Sequence, residues 1–199
     1  MTIITRTARL PRQFFDRPAV QVARELLGAR LVRLEGDTRL AGIIVEAEAY
    51  CGEEDLACHA RAGRTRRTEV MYGPAGVAYV YFTYGMHWML NFVTGAEGRP
   101  EAVLIRAIEP AEGIEIIAAR RTPRPEGEWT DGPAKLCRAL GIDGSFNGAD
   151  LTDPDADLFV EAGELVLDGK VRIGPRVGLG ATPEPWLSKP WRFRFVKDQ

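Results

Sequence analysis

Apolar residues change their spacing along the first fifty positions of the chain. Between residues 18 and 27 they recur at intervals of three and four, which predicts an amphipathic helix. We expect Asp16 to cap this helix, Pro18 to lie in its first turn and Gly28 to end it. Beyond it, "RLVRL" and "RLAGIIVEAEAY" predict two strands joined by a turn at residues 35–37.

The rest of the chain predicts further strands and helices around one long polar segment. Residues 51–76 are rich in glycine and arginine and predict a loop, which at this length is usually functional. There follow two aromatic strands (77–83 and 87–93), the strand "EAVLIRAIEP", the helix "AEGIEIIAARR" and a helix at 133–140 capped by Asp131. These elements predict an α+β fold with a mostly antiparallel sheet, in one domain spanning residues 1–199.

Composition places the chain among globular proteins. Of its 199 residues, 45% are hydrophobic and 27% are charged, close to the average of folded domains. The sequence has no run of about 18 apolar residues that would span a membrane, and no apolar N-terminal segment typical of a secretory signal. We therefore expect an intracellular, cytoplasmic protein.

Three cysteines, Cys51, Cys58 and Cys137, are an odd number, which predicts free thiols in an intracellular chain. Two of them lie near His59, but the spacing matches no common zinc pattern and the chain has only two histidines. We expect neither a metal ion nor another cofactor.

Positive charge is concentrated in short runs, although the net charge is −2. Residues 61–67, "RAGRTRR", contain four arginines and no acid, and a second run holds Arg120, Arg121 and Arg124. The acidic residues concentrate between positions 150 and 164. The arginines are compatible either with solvated loop positions or with a local basic face that binds phosphate.

The strand "IVEAEAY" carries two carboxylates on one face. A period of two directs Val45, Ala47 and Ala49 to the core, and to the opposite face Glu46, Glu48 and Tyr50. Like charges at adjacent positions of one face repel each other. This strand alone favours a solvated edge position; the alternative is a pocket in which one carboxyl has a perturbed pKa.

Neighbouring segments favour the pocket. The loop that holds His59 begins just after Tyr50 and would fold back over the same face. Arg106 occupies a strand otherwise suited to burial and therefore requires an acidic partner. A carboxylate beside an arginine and aromatic walls can orient water and stabilise positive charge, as hydrolysis of a glycosidic bond requires.

The two aromatic strands meet at Tyr84 and Gly85, where a side chain would project outward. Packing on a sheet face explains most of the rings in "VYFTYGMHWMLNF". A ring at a hairpin tip can instead wedge between base pairs and replace an extruded nucleotide. Tyr50 and Tyr81 would then enclose the extruded base.

Seven blocks of the sequence together resemble one family, the alkyladenine DNA glycosylases, also called 3-methyladenine or methylpurine DNA glycosylases. The blocks cover nearly the whole chain and follow the order of the family: "FFDRPAVQVARELLGARLVR", "GIIVEAEAYCGEEDLACHARAGRT", "YVYFTYGMHWMLNFV", "EAVLIRAIEP", "DGPAKLCRALGI", "PRVGLG" and "WLSKPWRFRF". The resemblance implies a compact domain with a curved antiparallel sheet, flanking helices and a protruding hairpin that inserts into DNA. The short chain resembles the bacterial members.

The resemblance also implies roles for individual residues. Glu48 would be the general base that activates water for attack on the C1′ carbon of the sugar, and Arg106 would help to hold that water. Tyr84 would insert through the minor groove. The base-binding pocket would comprise Tyr50, His59, which reads the edge of the base, Tyr81, and Asn91, which disfavours the exocyclic amine of guanine.

The basic segments become candidates for contact with the DNA backbone. These candidates are Arg61, Arg64, Arg66, Arg67 and Lys135, the last at a helix start with Gly132 and Pro133. A helix start offers free backbone donors and the positive end of a dipole. Such contacts position a duplex without reading its sequence.

The implied activity is that of a monofunctional DNA glycosylase of base excision repair. It would flip 3-methyladenine, 7-methylguanine, hypoxanthine or etheno-adenine out of the duplex and hydrolyse the N-glycosidic bond, leaving an abasic site. The predicted pocket strands hold no lysine that would form an imine with the sugar. We expect a monomer that acts on nucleoid DNA. His87, Trp88 and Met89 depart from the vertebrate pattern, which leaves the fine substrate preference open.

Two other functions remain open at this point. A carbohydrate glycosidase would use Glu46 and Glu48 as acid and base, because same-face neighbours on a strand lie about 7 Å apart. A non-enzymatic minor-groove module would bend DNA with Tyr84 as its wedge and would have no need of Glu48.

Overall fold

An eight-stranded antiparallel sheet forms the centre of the fold in the computed structural model, which describes residues 8–196. Its strands are β1 (Arg30–Glu35), β2 (Thr38–Cys51), β3 (Ala78–Thr83), β4 (His87–Thr94), β5 (Glu101–Glu112), β6 (Leu158–Glu161), β7 (Val171–Gly174) and β8 (Arg192–Phe195). The α-helices are α1 (Arg12–Phe15), α2 (Ala19–Glu25), α3 (Ile114–Arg121) and α4 (Pro133–Leu140). Short 3₁₀ helices lie at His59–Ala62, Glu69–Tyr72, Glu126–Glu128, Gly144–Phe146 and Asp168–Lys170. The predicted α+β class with a mostly antiparallel sheet is confirmed.

Strand β2 organises the sheet. The order of strands is β3-β4-β5-β2-β1-β6, and β8 pairs with both β2 and β7. One edge of β2 pairs with β5, whereas the other edge pairs first with β1 and then, at residues 46–48, with β8. The expectation of a solvated edge position for β2 is therefore wrong, because β8 covers the part of the edge that β1 leaves open.

Two of the three register shifts between β2 and β5 flank Glu46. The register shifts on both sides of Glu46 and leaves Val45 on β2 and Arg106 on β5 without a cross-strand partner. The prediction that Val45 faces the core is wrong: Val45 is only half-buried, whereas Ala47 and Ala49 are fully buried. The two shifts cancel, and Arg106 still lies on the face of the sheet that carries Glu46 and donates a hydrogen bond to it.

Apolar residues form two main clusters, one on each face of the sheet. The larger packs the helices against one face and includes Phe15, Leu26 and Phe92. The smaller lies beneath the segment 52–76 and includes Tyr79. Alternate residues of β3 and β4 belong to different clusters, as the period of a strand requires. The long loop is thus held by apolar contacts of its own.

The cap predicted for the first long helix is wrong. Asp16 follows α1, and α2 begins after Pro18 with no side-chain hydrogen bond at its N-cap. The backbone N–H of Ala19 instead donates to Glu101 Oε2 at 2.8 Å. A carboxylate from β5 therefore supplies the acceptor that the sequence assigned to Asp16.

The cap predicted for α4 is also wrong. Its N-cap is Gly132, and the first helical residue is Pro133, which has no N–H for a cap to satisfy. Asp131 instead accepts a hydrogen bond from Lys135 Nζ at 2.8 Å. The bounds of the helix nevertheless agree with the prediction.

We expect Phe92→Ala to lower the free energy of unfolding by about 3–5 kcal/mol, because the variant leaves a cavity beside Phe15 in the larger cluster. Urea denaturation measures the change. Phe82→Ala is the matched control, since that ring is 46% exposed, and its effect should be much smaller. Equal losses for the two variants would contradict the assignment of Phe92 to the core.

Candidate active site

A cavity of about 570 Å³ opens on the face of the sheet that carries the smaller apolar cluster. Its walls come from the central strands, the loop after β2 and the segment after β7. Tyr50, His59, Tyr81, Asn91 and Arg106 all line it. The structure therefore brings together five predicted residues that lie on five separate segments of the chain.

Glu48 lies beside this cavity and is fully buried. Its Oε1 accepts a hydrogen bond from the backbone N–H of Val177 at 2.7 Å, and its Oε2 accepts one from the Tyr50 hydroxyl at 2.9 Å. Arg106 Nε lies 3.3 Å from Oε1. Burial raises the pKa of Glu48, and these three partners, all of which line the cavity, oppose the rise only in part.

Glu46 has a different environment from Glu48, although both lie on the same face of β2. Its Oε1 accepts hydrogen bonds from Arg106 Nε at 2.8 Å and from Arg192 Nε at 2.7 Å. Arg194 Nε lies 3.7 Å from Oε2. Because guanidinium groups only donate, Glu46 acts here as an acceptor. The two carboxylates share Arg106, which satisfies the expectation that this arginine has an acidic partner.

Three aromatic rings stand together at one wall of the cavity. The ring centroids of His59 and Tyr81 are 4.5 Å apart with an edge-to-face orientation, and those of Tyr79 and Tyr81 are 5.4 Å apart. His59 Nδ1 lies 3.0 Å from the Tyr79 hydroxyl. Burial, assisted by the charges of Arg67 and Arg61, lowers the pKa of His59 to about 4. The imidazole is therefore neutral near pH 7 and keeps both a donor and an acceptor nitrogen.

Tyr50 connects the cavity to Glu48. Burial and the Glu48 carboxylate raise the pKa of Tyr50 well above its usual value. The phenol therefore stays protonated and remains a hydrogen-bond donor to Glu48.

The hairpin of β3 and β4 supplies two further predicted residues. Asn91 is buried, and its Nδ2 donates to the Tyr79 carbonyl at 3.1 Å, which fixes the amide at the cavity wall. Tyr84 lies in the turn, is 81% exposed and has a φ of 51°. It is the one non-glycine residue with positive φ among residues 8–196. Tyr84 therefore combines a sparsely populated backbone conformation with a solvent-exposed position at the edge of the first cavity.

The four arginines of the run 61–67, which the sequence predicts to contact phosphate, are all exposed. Arg61 Nη1 donates to a backbone carbonyl at 2.6 Å, and Arg64 forms an ion pair with Glu69 at 2.7 Å. The Arg67 guanidinium lies 5.1 Å from the ring centroid of Tyr81. Arg67 therefore belongs to the cavity wall as well as to the basic run.

A second cavity of about 1010 Å³ adjoins the first at Met89 and Pro133. The predicted Lys135 lies there, with Asp131 at 2.8 Å and Glu128 at 3.7 Å. The cavity also holds cations that were not selected as site residues, namely Arg121, Arg124 and Arg138. Arg121 is buried, and its Nε has no hydrogen-bond partner within the described part of the chain. Burial and two neighbouring arginines lower the pKa of Arg121.

Sequence analysis missed the residues that support Glu48 from below. Asp55 and Arg176 form an ion pair at 2.5 Å, and neither side chain is exposed. Val177, the next residue, donates its N–H to Glu48. The block "PRVGLG" contains Arg176 and Val177. No periodicity in the sequence relates Arg176 to Asp55, which lies 121 positions earlier.

The described residues contain no group of three or more histidine, cysteine, aspartate or glutamate side chains placed to bind a metal ion. Cys51, Cys58 and Cys137 are free thiols, as predicted. Between residues 8 and 196, no helix has both the length and the apolar character needed to cross a membrane.

Comparison with known proteins identifies the class. A family model described as "Methylpurine-DNA glycosylase (MPG)" matches residues 13–199. A relative from Myxococcus xanthus is 50% identical over 95% of this chain and 90% of its own length. Relatives from Carboxydothermus hydrogenoformans and Methanocella arvoryzae are each 50% identical over 92% of this chain, and over 93% and 90% of their own lengths. All three are named "Putative 3-methyladenine DNA glycosylase".

The fold, the site and these similarities define a DNA glycosylase, and the enzyme class expected from the sequence is confirmed. The chain belongs to the methylpurine-DNA glycosylase family.

We expect the imidazole of His59 to titrate near pH 4 in the folded protein, compared with an ordinary value of 6.5. Arg67→Gln should raise this pKa, because it removes a positive charge that opposes protonation. NMR titration of the ring protons measures both values, with His87 as the other histidine signal. Because the unfolded chain takes up this proton at higher pH, the contribution of His59 to stability falls as pH drops from about 7 to 4. A titration of His59 above 6.5 would contradict the buried, neutral assignment.

Proposed function

We propose that the protein is a monofunctional DNA glycosylase that removes alkylated or deaminated purines from duplex DNA. The substrate classes are 3-methyladenine, 7-methylguanine, hypoxanthine and etheno-adenine. One observation carries the proposal: Glu48 is buried between Arg106, Tyr50 and the N–H of Val177, beside a cavity with aromatic walls. A carboxylate in this position is suited to activate water for attack on a sugar carbon.

In the proposed reaction, a water molecule attacks C1′ of the flipped nucleotide while Glu48 accepts one of its protons. A C1′–O bond forms, the C1′–N bond breaks, and its electron pair leaves with the base. Arg106 is the most distant partner of Glu48, and we assign the water to that side of the carboxylate. Burial raises the pKa of Glu48 and makes it a stronger base, whereas Arg106 favours the ionised form that the step needs.

The cavity is proposed to hold the flipped purine. Its volume of about 570 Å³ lies within the range of small-molecule sites. The faces of Tyr50 and Tyr81 offer stacking, worth about 1–3 kcal/mol per base. Neutral His59 reads the edge of the base through hydrogen bonds. Asn91, held by the Tyr79 carbonyl, disfavours the exocyclic amine of guanine.

The hairpin and the basic residues are proposed to bind the duplex. Tyr84, which is 81% exposed, replaces the flipped nucleotide in the stack. Arg61, Arg66 and Arg67 contact phosphates at the mouth of the cavity. Arg64 contributes less, because its guanidinium forms an ion pair with an exposed glutamate.

The second cavity is proposed to hold another phosphate segment of the same duplex. Its arginines and Lys135 outnumber the one glutamate that lines it, and it adjoins the first cavity. Electrostatic binding of this kind is salt-dependent and independent of base sequence. Asp131 partly neutralises Lys135 and Arg121 is buried, so the exposed Arg138 carries most of this contact.

Details of the site argue against the two other functions. Glu46 accepts hydrogen bonds from Arg106 and Arg192 and therefore does not present a proton as the acid of a carbohydrate glycosidase. A module that only bends DNA has no use for a buried carboxylate such as Glu48. The described lining of the cavity includes no lysine, which favours hydrolysis without an imine. We propose that the chain forms one glycosylase domain and acts as a monomer.

We expect Glu48→Gln to lower the rate of base release by about 10²–10⁴-fold, because glutamine cannot accept the proton of water. Single-turnover release from duplex oligonucleotides that carry hypoxanthine or 7-methylguanine measures the effect. The variant should still bind the same duplexes. Glu115→Gln changes an exposed carboxylate on α3 and serves as the matched control with unchanged release.

Three outcomes would contradict parts of the proposed glycosylase mechanism. Equal release by wild type and Glu48→Gln would keep the enzyme and reject Glu48 as its base. Binding without release of any damaged base by the wild type would favour the bending module. Release of sugar from an oligosaccharide, without release of a base from DNA, would favour the carbohydrate glycosidase.

We expect Arg138→Gln to weaken binding of duplex DNA equally across sequences and to reduce the slope of log affinity against log salt by about 1. Fluorescence anisotropy at several salt concentrations measures this slope. Arg120→Gln makes the same change of charge on α3, but Arg120 is held by Glu35 at 2.6 and 2.9 Å and should leave the slope unchanged. An unchanged slope for Arg138→Gln would remove the second cavity from the DNA-binding surface.

A further inference from the structure

Arg176 is a fully buried cation below the candidate active site, and its guanidinium contacts several separate parts of the chain. Nη1 donates to the carbonyl of Ala49 at 3.0 Å and to Asp55 at 2.5 Å. Nη2 donates to Asp55 at 2.9 Å and to the carbonyl of Trp186 at 3.3 Å. Only the planar, forked guanidinium of arginine can donate hydrogen bonds to acceptors in these several directions at once.

Two aromatic rings flank the same guanidinium. Its central carbon lies 4.7 Å from the ring centroid of Tyr50 and 4.9 Å from that of Trp191. Tyr50 is the residue whose hydroxyl donates to Glu48. The orientation of that ring therefore depends on Arg176 as well as on the cavity wall.

Asp55 extends the arrangement to the loop that carries His59. Its Oδ2 accepts the N–H of Cys51 at 3.2 Å, and its Oδ1 accepts the N–H of Ala57 at 3.1 Å. The ion pair thus connects the end of β2, the start of the loop and the segment after β7. These are three of the elements that line the cavity.

The backbone of Arg176 leads directly to Glu48. Val177 follows it and donates its N–H to Glu48 Oε1 at 2.7 Å, although the Val177 side chain is 43% exposed. Gly178 and Gly180, both with positive φ, follow Val177, and residues 175–180 belong to no strand that would fix their position. The buried side chain of Arg176, one residue earlier, therefore constrains where this N–H points.

Stability alone is a weak explanation for such a group. A buried ion pair often stabilises a fold no more than apolar residues of the same volume would. The Arg176 Nε is also buried and has no hydrogen-bond partner among residues 8–196, which adds to its cost. A role in positioning accounts for a costly group at this place.

We propose that Arg176, with Asp55, is a positioning residue of the active site. It holds the Val177 N–H on Glu48 and the ring of Tyr50 in the orientation that keeps this carboxylate ready to accept a proton. The role of this pair in catalysis rests on the proposed function, whereas its effect on Glu48 does not.

Loss of the Val177 hydrogen bond should change the titration of Glu48. This hydrogen bond lowers the pKa of Glu48, so its removal should raise that pKa further. The rate of base release should then reach half its maximum at higher pH, because only the ionised carboxylate accepts a proton. The charged and titratable groups that face Glu48 from the packed elements are Glu46 and Tyr50 on β2, Tyr81 on β3, Arg106 on β5 and Arg192 on β8.

The first measurement is independent of activity. The amide proton of Val177 and the carboxyl carbon of Glu48 are followed by NMR as a function of pH in the full chain. In wild type we expect a strongly downfield Val177 amide that titrates together with Glu48. In Arg176→Met the amide should move upfield, and Glu48 should titrate at higher pH.

Two further variants keep the test decisive if Arg176→Met does not fold. Arg176→Lys keeps the charge beside Asp55, but a lysine cannot contact Ala49, Asp55 and Trp186 together. This variant should therefore fold, while its Val177 amide signal stays shifted from the wild-type position. Asp55→Asn keeps a hydrogen-bond acceptor for the loop and removes the negative charge. In this variant the Val177 amide should move upfield and Glu48 should titrate at higher pH, as in Arg176→Met. Restoration of the wild-type signals by lysine would overturn the positioning role.

The second measurement is single-turnover release of a damaged base. We expect Arg176→Lys to lower the rate by about 100-fold, as small displacements of catalytic groups do, with a smaller change in affinity for the duplex. Arg39→Met is the matched control, because it breaks ion pairs with Glu112 and Glu161 at the far end of β2. It should lower the melting temperature and leave the Val177 amide and the pH profile unchanged.

The outcomes separate the two proposals. If wild type releases no base from any damaged duplex, the proposed function fails, and the NMR signals still decide whether Arg176 positions Glu48. If Arg176→Lys lowers only the melting temperature, as Arg39→Met does, Arg176 has a structural role alone and the inference is overturned.

Discussion

A carboxylate without solvent exposure lies near the C-terminal end of the longest strand of the sheet. Removal of an ionised group from water costs several kcal/mol unless hydrogen bonds and opposite charges compensate. For Glu48 this compensation comes from the phenol of Tyr50, the guanidinium of Arg106 and one backbone N–H. These three groups belong to β2, β5 and the segment after β7. The course of the chain around the cavity is therefore constrained by the needs of one side chain.

The second carboxylate of the strand shows how neighbouring like charges acquire different properties. Glu46 lies among guanidinium groups from β5 and β8, whereas Glu48 has only part of one such group and is more deeply buried. Arg106 contacts both carboxylates, at 2.8 Å from Glu46 and 3.3 Å from Glu48. Only Glu46 also has Arg192 and Arg194 beside it, from the strand β8. The number of neighbouring guanidinium groups and the depth of burial thus separate an acceptor held by arginines from a carboxyl with a raised pKa.

Local patterns in the sequence were sufficient for most elements and, together with the family resemblance, for five residues that line the cavity. The turn between β1 and β2, the hairpin at Tyr84 and the bounds of α4 follow from spacing and from glycine. The errors arose where distant segments replace local signals. Glu101 takes the place expected for Asp16, β8 covers the predicted edge of β2, and a bulge removes Val45 from the core. The partners of Arg176 could not be predicted for the same reason, because a contact across 121 positions leaves no period in the sequence.

The wall of the cavity formed by residues 52–72 rests on the smaller apolar cluster and on the ion pair at Asp55, and not on the larger core. Local opening of such a unit has a free energy of its own, which can lie well below that of global unfolding. Substitutions among the helices can therefore adapt the heat resistance of the protein without altering how readily this wall opens. Thermal adaptation and the local stability of the cavity wall are separable traits in this architecture, open to independent selection in lineages that live at different temperatures.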